Sequence, residues 1–138
     1  MGDRACIVSP LYPLISNLSV VQNVALIKEY HERWPRRKAE GFTYELLTRL
    51  GMAEIGPKRN PALTNAERFI ALLLRAALMI GDVIVIDRPF IIMPDLYKAD
   101  FIINALQGIE EFFNQCLILD YSWNDERYEG FGYEAPVR

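Results

Sequence analysis

Two patterns of apolar residues alternate along this chain. Short continuous runs read as strands, and longer stretches with apolar residues every three or four positions read as helices. The first run, Ala5 to Val8, is closed by Ser9-Pro10 and reads as a buried strand entering a loop. The loop that follows, Leu11-Tyr12-Pro13-Leu14-Ile15, is itself apolar. A helix is predicted from about Ser19, because Ser19 and Gln22 have capping-box spacing: the hydroxyl accepts a free N–H and the amide reaches back. Val20, Val24, Ile27, His31 and Trp34 then follow one helical face until Pro35 stops the run.

A second helix is predicted from about Arg37 to Leu50. Phe42, Leu46, Leu47 and Leu50 are its apolar positions, and Gly51 is a good left-handed cap. Residues 56–61 form a basic, proline-bounded loop. Thr64-Asn65-Ala66-Glu67 is another capping box, opening a helix to about Ile80 that is apolar on most sides and therefore central. Val83-Ile84-Val85-Ile86 ends in Asp87. Four consecutive β-branched residues are the pattern of a parallel strand covered on both faces. Asp95 is predicted to cap a helix through Phe113. Cys116-Leu117-Ile118-Leu119 repeats the strand pattern and again ends in an aspartate. Strands separated by helices give an α/β fold, with no internal repeat or interdomain linker. The body is expected over residues 1–122, followed by an irregular aromatic and acidic tail over 123–138.

With 138 residues, 51% of them hydrophobic and 24% charged, the chain has the size and balance of one globular domain. A net charge of −3 gives no general attraction to nucleic acid or anionic lipid, so a nucleic-acid partner is not expected. Cys6 and Cys116 lie far apart, and nothing has CxxC or HExxH spacing, so no metal site is expected. Met1 to Arg4 lead straight into a strand-like run, which does not read as a signal peptide. The longest apolar stretch, Phe69 to Ile80, contains Arg75 and is too short to span a bilayer. A cytoplasmic location is the expectation.

Read in order, these pieces resemble an ABC-transporter ATPase from its Q-loop strand to its switch strand. Leu14-Ile15-Ser16-Asn17-Leu18-Ser19-Val20-Val21-Gln22-Asn23-Val24 resembles the "LTVxENV" stretch after the Q-loop. Leu46-Leu47-Thr48-Arg49-Leu50-Gly51-Met52 resembles the "LLxxLGL" before the signature motif. Leu63-Thr64-Asn65-Ala66-Glu67-Arg68 sits where the family has LSGGQ plus a basic residue, and Arg75-Ala76 falls on the "AR-A" of the same helix. Asp82 to Phe90 falls on the Walker B block, hydrophobic strand then "DEPF". The resemblance covers roughly residues 5 to 122, with the helical subdomain at about 17–80. It implies a partial P-loop NTPase fold: a short three-stranded parallel sheet, Val83 to Asp87 central, plus the ABC helical subdomain.

The resemblance also implies that the catalytic apparatus is degenerate. No GxxxxGK[ST] occurs in the sequence, and the chain is expected to begin past the position of that motif. Asp87 keeps the Walker B carboxylate, which in the family holds Mg²⁺ through water; it could equally cap a turn. The next position should be the glutamate that polarises the attacking water, and it is Arg88, a permanent cation that cannot serve as a base. Arg88 either pairs with a nearby carboxylate or contacts an anion or partner. Asn65 and Ala66 replace both signature glycines, Glu67 follows them, and Thr64 keeps a hydroxyl. The Q-loop glutamine is represented by Ser9 or Pro10, the switch histidine by Tyr121, and the D-loop aspartate by Pro94, with Asp95 one residue late. No catalytic residue and no cofactor are therefore expected.

Two surfaces of such a domain do not depend on hydrolysis. One is the post-Q-loop segment and helical subdomain, which in the family grip a membrane permease. Here Leu11, Tyr12, Leu14, Ile15, Asn17, Leu18 and Trp34 are the candidate contact residues; exposed apolar loop residues suit a partner, and otherwise they tuck into the core. The other is the Leu117-Ile118-Leu119 strand, left as an open edge that another chain could pair with or the tail could cover. Cys6 and Cys116 would stand on opposite flanking strands, about 9–10 Å apart and beyond disulfide reach.

The expected function is thus a non-catalytic, ABC ATPase-like accessory or regulatory subunit. It would dock on a membrane transporter permease, or pair with an intact ABC ATPase, at the inner face of the membrane. The wording from Asn17 to Val24 resembles lipid-transport systems of the mammalian-cell-entry class. The alternatives are half of a split nucleotide-binding protein whose P-loop comes from another chain, and a self-associating domain unrelated to transport.

Overall fold

The computed structural model describes residues 5–79 and 81–129. Strand β1 (Ala5–Val8) is followed by helices α1 (Val20–Glu32), α2 (Arg36–Arg49) and α3 (Asn65–Ala77). Then come β2 (Val83–Asp87), the short helix α4 (Pro89–Ile92), α5 (Asp100–Gly108) and β3 (Gln115–Leu119). A 3-10 helix over Ser122–Tyr128 ends the described chain. The sheet is parallel, in the order β1-β2-β3, so β2 is central as expected.

The predicted local signals operate. Ser19 Oγ accepts the Gln22 N–H at 3.1 Å while Gln22 Oε1 accepts the Ser19 N–H at 2.8 Å. Thr64 and Glu67 make the same reciprocal pair at the start of α3. Each box satisfies helix N–H groups that otherwise lack partners, worth about 1 kcal/mol. Gly51 takes φ +74°, and the Met52 N–H returns to Leu47 O at 2.8 Å, closing α2 in a Schellman motif.

Register places Cys6, Ile84 and Cys116 side by side, then Val8, Ile86 and Ile118. Cys6 and Cys116 therefore stand two strand spacings apart, too far to pair with each other. Burial pushes the Cys116 thiol up to about 12. This face carries the core: Val8, Ile86 and Ile118 are wholly buried, as are Phe69, Leu73 and Leu74 of α3 and Leu46 and Leu47 of α2. Each such side chain contributes about 1.5–3 kcal/mol of burial.

Several expectations need correction. Among the described residues the second face of the sheet is covered only in part: Ile7 is 40% exposed, and its row neighbours Val85 and Leu117 are half-buried. β-branched runs report a preference for the pleated backbone and do not fix what lies above it. Asp95 does not cap a helix through Phe113, because its carboxylate accepts from Asn65 Nδ2 at 3.1 Å. Helix α5 starts later, behind Ala99, whose N–H donates to Arg127 O at 2.9 Å. Helix α1 ends at Glu32, since Arg33 turns to φ 57°, so Trp34 lies beyond it; His31 is exposed. Finally, 122–128 is not irregular. Asp120 accepts the Tyr121 N–H at 2.7 Å, Asn124 Nδ2 at 2.9 Å and Tyr128 Oη at 2.6 Å. That fan of bonds winds the 3-10 helix, and Tyr128 packs edge-on against Phe90 at 5.5 Å. Helix α3 ends at Ala77, three residues short of the predicted end at about Ile80, and the predicted tail beyond Glu129 lies outside the described residues.

Candidate functional site

The parallel sheet brings the C-terminal ends of its three strands together, and four of the candidate residues meet there. Ser9 follows β1, Asp87 ends β2, Arg88 follows it, and Tyr121 lies just past β3. Ser9 is fully buried and its Oγ donates to Asp87 Oδ2 at 3.0 Å, while the same oxygen accepts the Leu11 N–H at 3.1 Å. Arg88 Nε donates to Asp87 Oδ1 at 3.0 Å and Nη2 to Asp87 Oδ2 at 3.1 Å. Its remaining terminal nitrogen, Nη1, donates to Tyr121 Oη at 3.3 Å. Of the two alternatives for Arg88, pairing with a carboxylate is the one adopted.

Backbone geometry makes this possible. Arg88 sits at φ 46°, ψ 63°, a left-handed conformation that costs a residue with a Cβ about 1–2 kcal/mol. Pro89, with its fixed φ, then starts α4. The Arg88 N–H donates to Leu119 O at 2.8 Å, tying this turn to β3. The bonds to Asp87 first, and to Tyr121 second, raise the Arg88 pKa above its already high ordinary value. Trp123 stacks on Tyr121 with ring centroids 4.3 Å apart and 9° between planes, and is 73% exposed.

The other motif positions serve structure. Glu67 accepts the Thr64 N–H and lies 3.7 Å from Lys58 Nζ, so the capping box accounts for it. Asn65 bonds Asp95, and Arg68 binds Asn65, Asn60 and the Leu63 carbonyl at 2.7–3.0 Å. Ala66 is half-buried beside them. A cleft of 290 Å³ opens between Ser9, Pro10 and Pro13 on one side and Asn65, Arg68 and Ile91 on the other.

The candidate partner residues divide. Leu11 (68%), Tyr12 (55%) and Ile15 (49%) are exposed, Asn17 is exposed, and Leu18 is half-buried. Leu14 is not an exposed contact residue: only 5% of it is accessible, and it belongs to the core. The cause is Asn23, a buried side chain that sequence reading passed over. Its Oδ1 accepts the Ile15 N–H at 2.8 Å and its Nδ2 donates to the carbonyls of Ile15, Leu18 and Ser19. That clamp fixes which way each loop residue faces. Arg75 holds the same loop from α3, donating to the carbonyls of Tyr12 and Pro13. Trp34 is half-buried on Phe42, edge-on at 5.4 Å.

Compared with solved structures, the chain matches ATP-binding cassettes. The dimeric, ADP- and Pi-bound post-hydrolysis state of the cassette MJ0796 aligns with a TM-score of 0.66 at 18% identity, over 88% of this chain and 54% of that one. A second dimeric structure of MJ0796, described as a bacterial ABC transporter cassette, gives a TM-score of 0.64 at 16% identity, over 84% and 52% of the two chains. The fold is that of part of an ATP-binding cassette. CbiO1 from Clostridium perfringens, described as part of the ABC transporter complex cbiONQ, aligns at 0.58 and 19% identity over 83% of this chain and 45% of that one. The chain thus spans about half the length of the cassettes it matches. No family model and no curated protein matches it in sequence.

A cassette fold implies a divalent ion near the end of β2, and the residues here do not fit one. Both Asp87 oxygens accept from Arg88, and a guanidinium occupies the space in front of them. Among the described residues no group of three or more His, Cys, Asp or Glu is placed to hold a metal ion, and no helix is long and apolar enough to cross a membrane.

Proposed function

We propose that this protein is a non-catalytic, cassette-like accessory or regulatory subunit of a membrane ABC-type transporter. The observation that carries the proposal is Arg88. It stands where the resemblance expects the water-polarising glutamate, and its charge is fastened to the neighbouring Asp87 and to Tyr121. A guanidinium with all its nitrogens donating offers no lone pair to a proton, so it cannot act as a general base. The signature position adds to this, because Asn65 and Glu67 are tied into local hydrogen bonds.

Exposed Leu11, Tyr12 and Ile15 lie together on a loop held from behind by Asn23 and Arg75. Apolar residues on a rigid loop favour a partner there, and a permease or an intact ATPase is the partner class the fold suggests. In this account the domain fills a cassette-shaped place in the assembly without contributing chemistry. What points toward lipid transport of the mammalian-cell-entry class is the resemblance of the segment Asn17 to Val24 alone.

The split-protein alternative, in which another chain supplies a P-loop, has one observation in its favour. The sheet face of Ile7, Val85 and Leu117 is only partly covered among the described residues, which would suit a helix from a second polypeptide. Self-association through the β3 edge would use the same region. Gentle-detergent affinity purification from the native host separates these. Co-elution of a permease, with or without an intact ATPase, is the expected result. Recovery of a P-loop fragment favours the split protein, and recovery of the chain alone argues against stable docking.

A further inference from the structure

The net charge of the chain is −3, yet the fold gathers cations at the turn between α1 and α2. Lys28 lies in the last turns of α1, Arg33 ends it, and Arg36, Arg37 and Lys38 occupy the first turn of α2, which contains no acidic residue. Lys28 pairs with Glu32, and Arg36 has only a 4.0 Å approach to Glu29. Arg33, Arg37 and Lys38 are exposed, and among the described residues no carboxylate lies within ion-pairing distance of them. Cations in the first turn of a helix are repelled by its dipole, so the local potential is more positive than the side chains alone would make it.

Aromatic rings stand among these charges. Tyr30 is 79% exposed. Trp34 is half-buried and held edge-on by Phe42, which in turn meets Phe112 at 6.0 Å. Lys38 Nζ lies 4.1 Å from the Trp34 ring centroid and Lys28 Nζ 5.2 Å from it. Depressions of 370 and 340 Å³ border Trp34, the first lined by Tyr30, Arg33, Arg36 and Glu29, the second by Arg37, Lys38 and Glu45, so cations outnumber carboxylates two to one in each. Trp34 is thus a fixed, partly apolar platform among five cations, of which Arg33, Arg37 and Lys38 have no ion pair among the described residues.

We infer that this turn is a docking surface for the anionic headgroup layer of a lipid bilayer. Arg and Lys attract the headgroups, and Tyr and Trp are the side chains whose amphipathic rings settle at the water–lipid boundary. An acidic peptide is the less fitting occupant. Arg clusters also take acidic peptides, but here Tyr30 and Trp34 stand among the cations, and basic residues interleaved with Tyr and Trp are the combination that a bilayer surface favours. The inference does not rest on the transporter proposal, since it concerns lipid itself and not a permease.

The test is sedimentation of the purified chain with vesicles of phosphatidylcholine alone and of phosphatidylcholine mixed with phosphatidylglycerol. The chain has two tryptophans, so a Trp123→Phe variant makes Trp34 emission a local reporter. The wild type is expected to sediment with the anionic vesicles only, to be released by high salt, and to show a blue shift of Trp34. At roughly fivefold per cation, R33Q/R37Q/K38Q together should lower partition by about 100-fold; its circular dichroism spectrum should be unchanged, because all three side chains are exposed. The salt release needs no variant and stands if that variant misfolds. Equal sedimentation with both vesicle types, none with either, or unchanged binding by the folded triple variant would overturn the inference. Capture of polyglutamate without vesicle binding would overturn it in favour of an acidic peptide.

Discussion

The guanidinium of Arg88 meets the carboxylate of Asp87 through two hydrogen bonds, Nε to Oδ1 at 3.0 Å and Nη2 to Oδ2 at 3.1 Å. Adjacent residues rarely face each other in this way. Asp87 is the last residue of a strand and Arg88 is at φ 46°, so the backbone reverses between them and the second side chain folds back on the first. With Ser9 on one flank and Tyr121 on the other, the pair ties the ends of all three strands together. In the proposed non-catalytic reading, this strand end serves as a structural tie.

Replacing Arg88 separates its two roles. Arg88→Ala removes the pairing but keeps a Cβ in the left-handed region. Arg88→Gly removes the pairing and relieves the backbone. Both variants should melt below wild type, with Arg88→Gly above Arg88→Ala in thermal denaturation followed by circular dichroism. The reverse order would show that the left-handed conformation is not retained in solution.

Tyr128 should make stability sensitive to alkali. Burial first, then the bond to Asp120, raises its pKa well above the ordinary tyrosine value. A group raised on folding contributes fully below its unfolded pKa, about 10, and loses that contribution as pH climbs toward the folded value. Stability should therefore fall above about pH 10, and Tyr128→Phe should remove part of that fall. Near neutrality the same variant leaves the buried Asp120 short of a donor and should cost about 1–3 kcal/mol in urea denaturation.

The loop after β1 should divide by burial. Leu14→Ala empties a core position and is expected to cost about 2–5 kcal/mol. Leu11→Asp and Ile15→Asp change exposed side chains and should stay within about 0.5 kcal/mol of wild type, while weakening capture of a permease or ATPase partner. A large loss of stability from Ile15→Asp, with capture by the folded fraction unchanged, would remove that residue from the docking surface.

What could be read in the sequence was whatever depends on neighbours in the chain. The boxes at Ser19/Gln22 and Thr64/Glu67, the Gly51 cap and the strand ending in Asp87 all rest on short-range chemistry, and all are present. What escaped depends on side-chain contacts that no motif announces, whether the partner is four residues away or nearly thirty. Leu14 faces inward because Asn23 clamps the loop, α5 starts where Arg127 accepts the Ala99 N–H, and 122–128 winds around Asp120. None of these has a periodicity or a spacing to read. The Arg88 contact was left between two alternatives for the same reason: a left-handed backbone at an arginine has no sequence signature, and without it the side chain could not reach Asp87.

Mg-ATP turnover by the purified chain tests the central claim most directly. Arg88 in place of a base predicts no phosphate release above buffer, and Arg88→Glu alone should not create any, because the sequence contains no GxxxxGK[ST] cradle for the phosphates. Turnover that co-elutes with the protein and disappears in Asp87→Ala would contradict the account and make this strand end a working catalytic site.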